Sequence, residues 1–147
     1  MWPANNPESW RKLREIVGGK PNDDYWSKWK QMVDHVLSEL EARGLAESFR
    51  IGQSMHTIIF STLEHHCLAK EARLTLDFEP EKKTVQIAYS HSCAHLLHAN
   101  DHPHYYAPLA QESVLLSEAV PSVLSFLRRL WAETKPEIPT PDGLKDA

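Results

Sequence analysis

The stretch "ARLTLDFEPEKKTVQIAYS", residues 72–90, contains two alternating segments separated by a turn. Apolar residues occupy every second position of both segments: Leu74, Leu76 and Phe78 in the first, Val85, Ile87 and Tyr89 in the second. Successive side chains of a strand point to opposite faces, so each segment would bury one face. The residues between them, "EPEKK", are typical of a turn. The stretch therefore predicts a β-hairpin with one face in the core.

Two short segments before this hairpin also favour strands. They are "SFRIG" at residues 48–52 and "MHTIIFST" at residues 55–62, and both are rich in β-branched and aromatic residues. The second segment can also be drawn as a helix, because a short apolar run fits either period. We interpret it as a strand.

The N-terminal part of the chain predicts two helices. In the first, Asn6 is a candidate cap, Pro7 suits the first helical position, and Gly18 with Gly19 ends the run. In the second, Asn22 is the candidate cap and Gly44 ends the helix. Its apolar residues follow a helical spacing and form one stripe: Trp26, Trp29, Val33, Val36 and Leu40.

The C-terminal part predicts one more helix, in "SEAVPSVLSFLRRLWAETKP" at residues 117–136. Pro121 fits its first turn and Pro136 ends it. Its expected inner face consists of Val123, Leu124, Leu127, Leu130 and Trp131. The residues after it, 136–147, we expect to be a flexible tail.

Helices followed by strands and a last helix predict an α+β fold. We expect an antiparallel sheet of about four strands, packed by two N-terminal helices and one C-terminal helix, in a single domain spanning residues 1–135. The short hairpin connections exclude a doubly wound parallel sheet, because parallel strands need long crossovers.

Composition excludes several function classes. Sixteen lysines and arginines against 20 aspartates and glutamates give a net charge of −4, with both signs mixed along the chain. Nucleic-acid binding needs clustered cations, so nucleic acid is not expected as a partner. No apolar run approaches the length of a membrane span, and no signal peptide is evident, so we expect a cytoplasmic protein without a membrane partner. Cys67 and Cys93 are too few for a disulfide scaffold.

The segment "HSCAHLLHANDHPHYY", residues 91–106, holds five of the nine histidines. If it forms a helix capped by Ser90, then His91, His95 and His98 share one face, a spacing typical of zinc sites. His102 would be a fourth ligand. If the segment is extended, His91, Cys93 and His95 share a face instead, so the ligand set stays open. Zinc is the cofactor that this alternative implies; otherwise none is expected.

Catalytic signatures such as Gly-x-Ser-x-Gly and Gly-rich phosphate loops are missing, so we predict no catalytic residues and a non-enzymatic protein that binds another protein. Residues 91–116 read as a long polar connection, which is commonly functional. The expected partner-binding residues are His91, His95, His98, His102, His104, Tyr105 and Tyr106. Size and charge favour an immunity or antitoxin-type inhibitor that masks a toxin with a basic surface. The alternatives are a metal-dependent hydrolase using residues 91–104 and a subunit that self-associates, for example as a homodimer.

Overall fold

The computed structural model describes residues 6–17, 24–54, 56–62, 72–92 and 106–145. Within these residues the elements are α1 (Asn6–Val17), α2 (Asp24–Ala42), β1 (Arg50–Ser54), β2 (Thr57–Ser61), β3 (Ala72–Glu79), β4 (Thr84–Ser92), β5 (Tyr106–Leu115) and α3 (Ala119–Thr134). The strands form one antiparallel sheet in the order β1-β2-β3-β4-β5. The predicted α+β fold is confirmed, and the sheet has five strands where about four were expected.

The hairpin of β3 and β4 lies at the centre of the sheet and buries the face that its alternation predicts. Leu74 pairs with Tyr89 and Leu76 with Ile87, and none of these four side chains is more than 1% exposed. The turn between the strands contains Lys83, whose φ of 56° lies in the left-handed region.

Strands β1 and β2 form a second hairpin, which joins β3 through β2. Ser54 pairs with Thr57 across a connection of only two residues. Ile58 pairs with Leu76 and Phe60 with Leu74, and both β2 side chains are fully buried. The strand interpretation of "MHTIIFST" is therefore correct for residues 57–61, and the helical alternative is not.

Helices α2 and α3 bury the apolar stripes that the sequence predicts. In α2, Trp29, Val33, Val36 and Leu40 are buried, whereas Trp26 is half-buried against the core. In α3 the buried side chains include all five of the expected inner face. Gly44 follows α2 with a φ of 77°, a conformation that favours glycine, and so ends the helix.

The predicted long connection at residues 91–116 is wrong at both of its ends, whereas residues 93–105 lie outside the described residues. His91 and Ser92 continue β4, and residues 106–115 form β5 along the whole of β4. The predicted helix capped by Ser90 is therefore also wrong, because Ser90 lies inside β4 and pairs with Arg73 of β3 and Pro108 of β5. The pattern misleads because β5 is a sheet edge. Among its described side chains, residues 109–115, Ala110 and Val114 are half-buried against the core, and the alternation is weak.

The last described residues pack against the helices. Leu144 is fully buried, its carbonyl oxygen accepts a hydrogen bond from Arg128 (3.0 Å), and that of Gly143 accepts one from Arg43 (3.0 Å). A Cβ at Gly143 would lie 2.3 Å from the Arg43 carbonyl oxygen, so only glycine permits this approach. Contacts do not measure mobility, and the flexible tail at residues 136–147 stays a prediction.

Within the described residues, none of the helices combines the length and the apolar content that crossing a membrane requires.

Candidate partner-binding edge of the sheet

The two edges of the sheet differ in how their backbone groups are satisfied. At the β1 edge, the Ile51 N–H donates to the Ser9 Oγ of α1 at 3.0 Å. Ser9 in turn donates to the Asn6 carbonyl oxygen at 2.6 Å. Trp10 Nε1 donates to the Phe49 carbonyl oxygen at 2.8 Å, and both Ser9 and Trp10 are 2% exposed. Helix α1 therefore packs on the start of this edge and bonds the Ile51 N–H and the Phe49 carbonyl oxygen.

The β5 edge has no such cover among the described residues. The Leu116 N–H donates to the Lys83 carbonyl oxygen at 2.9 Å, which fixes the alternation along the strand. The residues whose backbone groups point toward β4 are Ala110, Glu112 and Val114. Those whose N–H and C=O groups point away from the sheet are Gln111, Ser113 and Leu115. The side chains of these three are exposed, and Leu115 is 53% exposed. This edge offers three donors and three acceptors to an added strand.

A bulge and a proline limit the accessible part of β5. Tyr89 pairs with Ala110 and Ser90 with Pro108, so Leu109 is an extra residue without a partner in the register. Leu109 is 52% exposed. Bulges and prolines are devices that interrupt pairing at sheet edges, and both lie near the start of the strand. Pairing with another strand is therefore open only from Leu109 to Leu115.

The charge along this edge is acidic. The sequence contains no lysine or arginine between Lys83 and Arg128. Glu112 pairs with the buried Ile87, so its side chain is on the face that the helices cover, and its Oε1 accepts a hydrogen bond from Ser122 Oγ at 2.9 Å. Glu112 and Glu118 are both exposed. The described part of β5 and its approach to α3 thus carry negative charge only.

A polar group next to β5 involves Tyr89, which pairs with Ala110. Its hydroxyl donates to the Glu133 carboxylate, and the Arg129 guanidinium carbon lies 4.4 Å from the centre of its ring. Burial raises the pKa of the Glu133 carboxyl. Tyr89 is fully buried, so this group fastens α3 to the sheet.

The face opposite the helices contains a second polar feature. Arg50 pairs with Ser61 and Arg73 with Ser90, and the register places these four residues in one row across the sheet. Arg50 is 2% exposed, Ser61 0% and Ser90 4%. Because a buried guanidinium needs polar surroundings, this row is a specific arrangement that strand alternation alone did not predict.

Of the predicted contact residues, the structure describes the backbone of two. His91 pairs with Ala107 and Tyr106 with Ser92, so the end of β4 and the start of β5 bring their backbones close together. His95, His98, His102, His104 and Tyr105 lie outside the described residues, as does Cys93. The predicted contact segment therefore joins the strand that forms the open edge.

The zinc hypothesis depends on residues that lie mostly outside the described part of the chain. His95, His98 and His102 lie outside the described residues, and only the backbone of His91 is described. Among the described residues, no group of three histidine, cysteine, aspartate or glutamate side chains is placed to hold a metal ion. Zinc binding through His91, His95, His98 and His102 stays a prediction, which elemental analysis of untagged protein and of His95→Ala tests.

Sequence reasoning did not find Gln111, Ser113 and Leu115, because it placed them in a connection. The available signal was Pro108 with the segment "LAQESVL", in which Leu109, Ala110, Val114 and Leu115 are the apolar residues. Edge strands expose both faces in part, so their apolar residues do not alternate strictly.

A comparison with protein-family models, with curated proteins and with solved structures gives no match for this chain. We therefore infer function from the geometry of the chain alone.

Proposed function

We propose that this chain is a non-enzymatic protein-binding module whose partner adds to the sheet at β5. The observation that carries the proposal is the contrast between the two edges. Side chains of α1 bond the Ile51 N–H of β1 and the Phe49 carbonyl oxygen just before it, whereas Gln111, Ser113 and Leu115 direct their backbone groups away from the sheet. Exposed edge strands are usually blocked, because they pair readily with other chains. An edge left open over several residues is suited to strand addition by a partner.

The predicted contact segment supports the same location. His91 and Tyr106 belong to the strands that form and border the open edge, and their neighbours in sequence are the remaining predicted contact residues. A partner strand would pair with residues 109–115, which lie close in sequence to that segment. The histidines and tyrosines would then add side-chain contacts to a backbone-mediated interface.

The specific form of this proposal is an immunity or antitoxin-type inhibitor that masks a basic partner. The net charge of −4 and the absence of lysine and arginine between Lys83 and Arg128 support it. Complementary charge increases association rates, which favours a partner with a basic surface. Co-expression with a toxin encoded beside this chain would then restore growth of the host cells.

The experiment that tests the proposal is a parallel affinity purification from the native host. The wild-type chain is compared with Ser113→Pro, which removes one outward N–H, and with Thr140→Pro, which introduces the same ring at an exposed position of the C-terminal segment. We expect a partner that the wild type and Thr140→Pro enrich equally and that Ser113→Pro loses at least tenfold. Absence of any enriched partner, or equal enrichment by all three, would refute the proposal.

A further inference from the structure

We infer that the segment that adds to β5 is a basic, extended strand running antiparallel to it. Its lysine or arginine lies opposite Glu112, and an apolar residue three positions earlier lies opposite Leu115. This inference rests on the proposed function, since it specifies the chemistry of the segment that docks at the same edge.

The direction follows from the sheet. Every neighbouring pair of strands is antiparallel, and antiparallel pairing is slightly more stable per residue than parallel pairing. Gln111, Ser113 and Leu115 present outward N–H and C=O groups at every second position, as an added strand of either direction requires. The added segment would therefore exchange hydrogen bonds with these three residues.

The basic residue follows from the position of Glu112. Its backbone groups bond to β4, so it would form a non-hydrogen-bonded pair with the added strand, in which side chains come closest. Ser122 holds the Glu112 carboxylate at the rim of the helix-covered face. Opposite charges directly across two strands attract, and β5 itself contains no lysine or arginine.

The apolar residue follows from Leu115. This side chain is 53% exposed and is on the face opposite Glu112, because three positions separate the two residues. Residue numbers run in opposite directions along an antiparallel pair. The partner residue that covers Leu115 is therefore three positions before the one that faces Glu112.

A second copy of this chain fits the edge less well. Two β5 strands related by a two-fold axis would bring their Glu112 side chains onto a shared edge, and neither β5 contains a lysine or arginine to pair with them. Like charges on adjacent strands repel, and the net charge of −4 on each chain adds to the repulsion. A basic segment removes this conflict.

The test uses an acetylated and amidated octapeptide of alternating threonine and valine, with lysine at its fifth position. A second peptide carries glutamate in place of the lysine, and binding is measured by nuclear magnetic resonance titration at low salt. We expect the lysine peptide to bind about two- to thirtyfold more tightly, the range spanned by exchanging an attractive for a repulsive cross-strand pair. Glu112→Gln should reduce this preference to less than about twofold.

Amide hydrogen exchange on the wild-type chain provides an internal control that needs no variant. Exchange at Gln111, Ser113 and Leu115 should slow at least tenfold when the lysine peptide is added. Exchange at Glu112 and Val114 should change little, because their N–H groups already bond to β4.

Three results would overturn the inference. The first is no binding of the lysine peptide at about 1 mM, which is in the range of weak peptide affinities. The others are equal binding of both peptides and slowed exchange outside β5. Concentration-dependent dimerisation that Ser113→Pro abolishes would also overturn it, in favour of a second copy at the edge. In each case a host partner that depends on Ser113 would leave the proposed function standing.

Discussion

Ser9→Ala is expected to destabilise the protein through the covered edge of the sheet. The substitution removes the acceptor of the Ile51 N–H, a buried hydrogen bond of 3.0 Å, and leaves that donor without its partner. An orphaned buried donor costs about 1–3 kcal/mol. The methyl side chain of alanine fits where the Ser9 Cβ lies, so no clash adds to this cost. For a chain of this size the melting temperature should fall by about 3–10 °C.

The assay is urea unfolding followed by tryptophan fluorescence, with Ser125→Ala as the matched control. Ser125 is an exposed serine of α3, and its replacement should change the free energy of unfolding by less than about 0.5 kcal/mol. Equal stability of the two variants would refute the argument that the hydrogen bond from the Ile51 N–H to Ser9 stabilises the protein. A further consequence is measurable: the Ile51 amide should exchange its hydrogen faster in Ser9→Ala than in the wild type.

Three further substitutions test other contacts. Leu144→Ala should lower the free energy of unfolding by about 2–5 kcal/mol, because Leu144 is fully buried; a change below about 0.5 kcal/mol in urea unfolding would support a detached tail instead. Because burial raises the pKa of Glu133, the wild type has its full stability from this group below the unfolded pKa and loses it as the pH rises through the folded pKa. Glu133→Gln, measured by urea unfolding at several pH values, should therefore gain stability relative to the wild type as the pH rises from the unfolded pKa through the raised folded pKa, and a constant difference would contradict this. Lys83→Gly should raise the melting temperature, since glycine tolerates the φ of 56°, whereas Lys82→Gly should lower it; the opposite order in calorimetry would exclude strain at Lys83.

The central part of the fold could be predicted from sequence because its elements bury one face completely. Leu74 and Ile87 alternate with polar neighbours, and the stripe of Val33 and Val36 follows the helical period. Each pattern has a single solution that hides the apolar side chains, and the structure adopts it.

The edge could not be predicted in the same way. Residues of β5 such as Gln111 and Ser113 remain exposed after folding, so burial selects neither their residue type nor their spacing. Their strand conformation depends on pairing with β4, which is a long-range contact that no local pattern records. For the same reason, the outward direction of their backbone groups emerges only from the register.

The interval between Lys83 and Arg128 has a practical consequence for experiments on this protein. Trypsin has no cleavage site within it, so one long tryptic peptide contains β5 together with most of its neighbours, and mapping footprints there requires a protease of different specificity. Amine-reactive dyes and coupling resins find no lysine within the interval and attach outside it, including at the exposed Lys82 and Lys83 in the turn beside the end of β5. Dyes and resins should therefore leave the side chains of β5 itself unmodified.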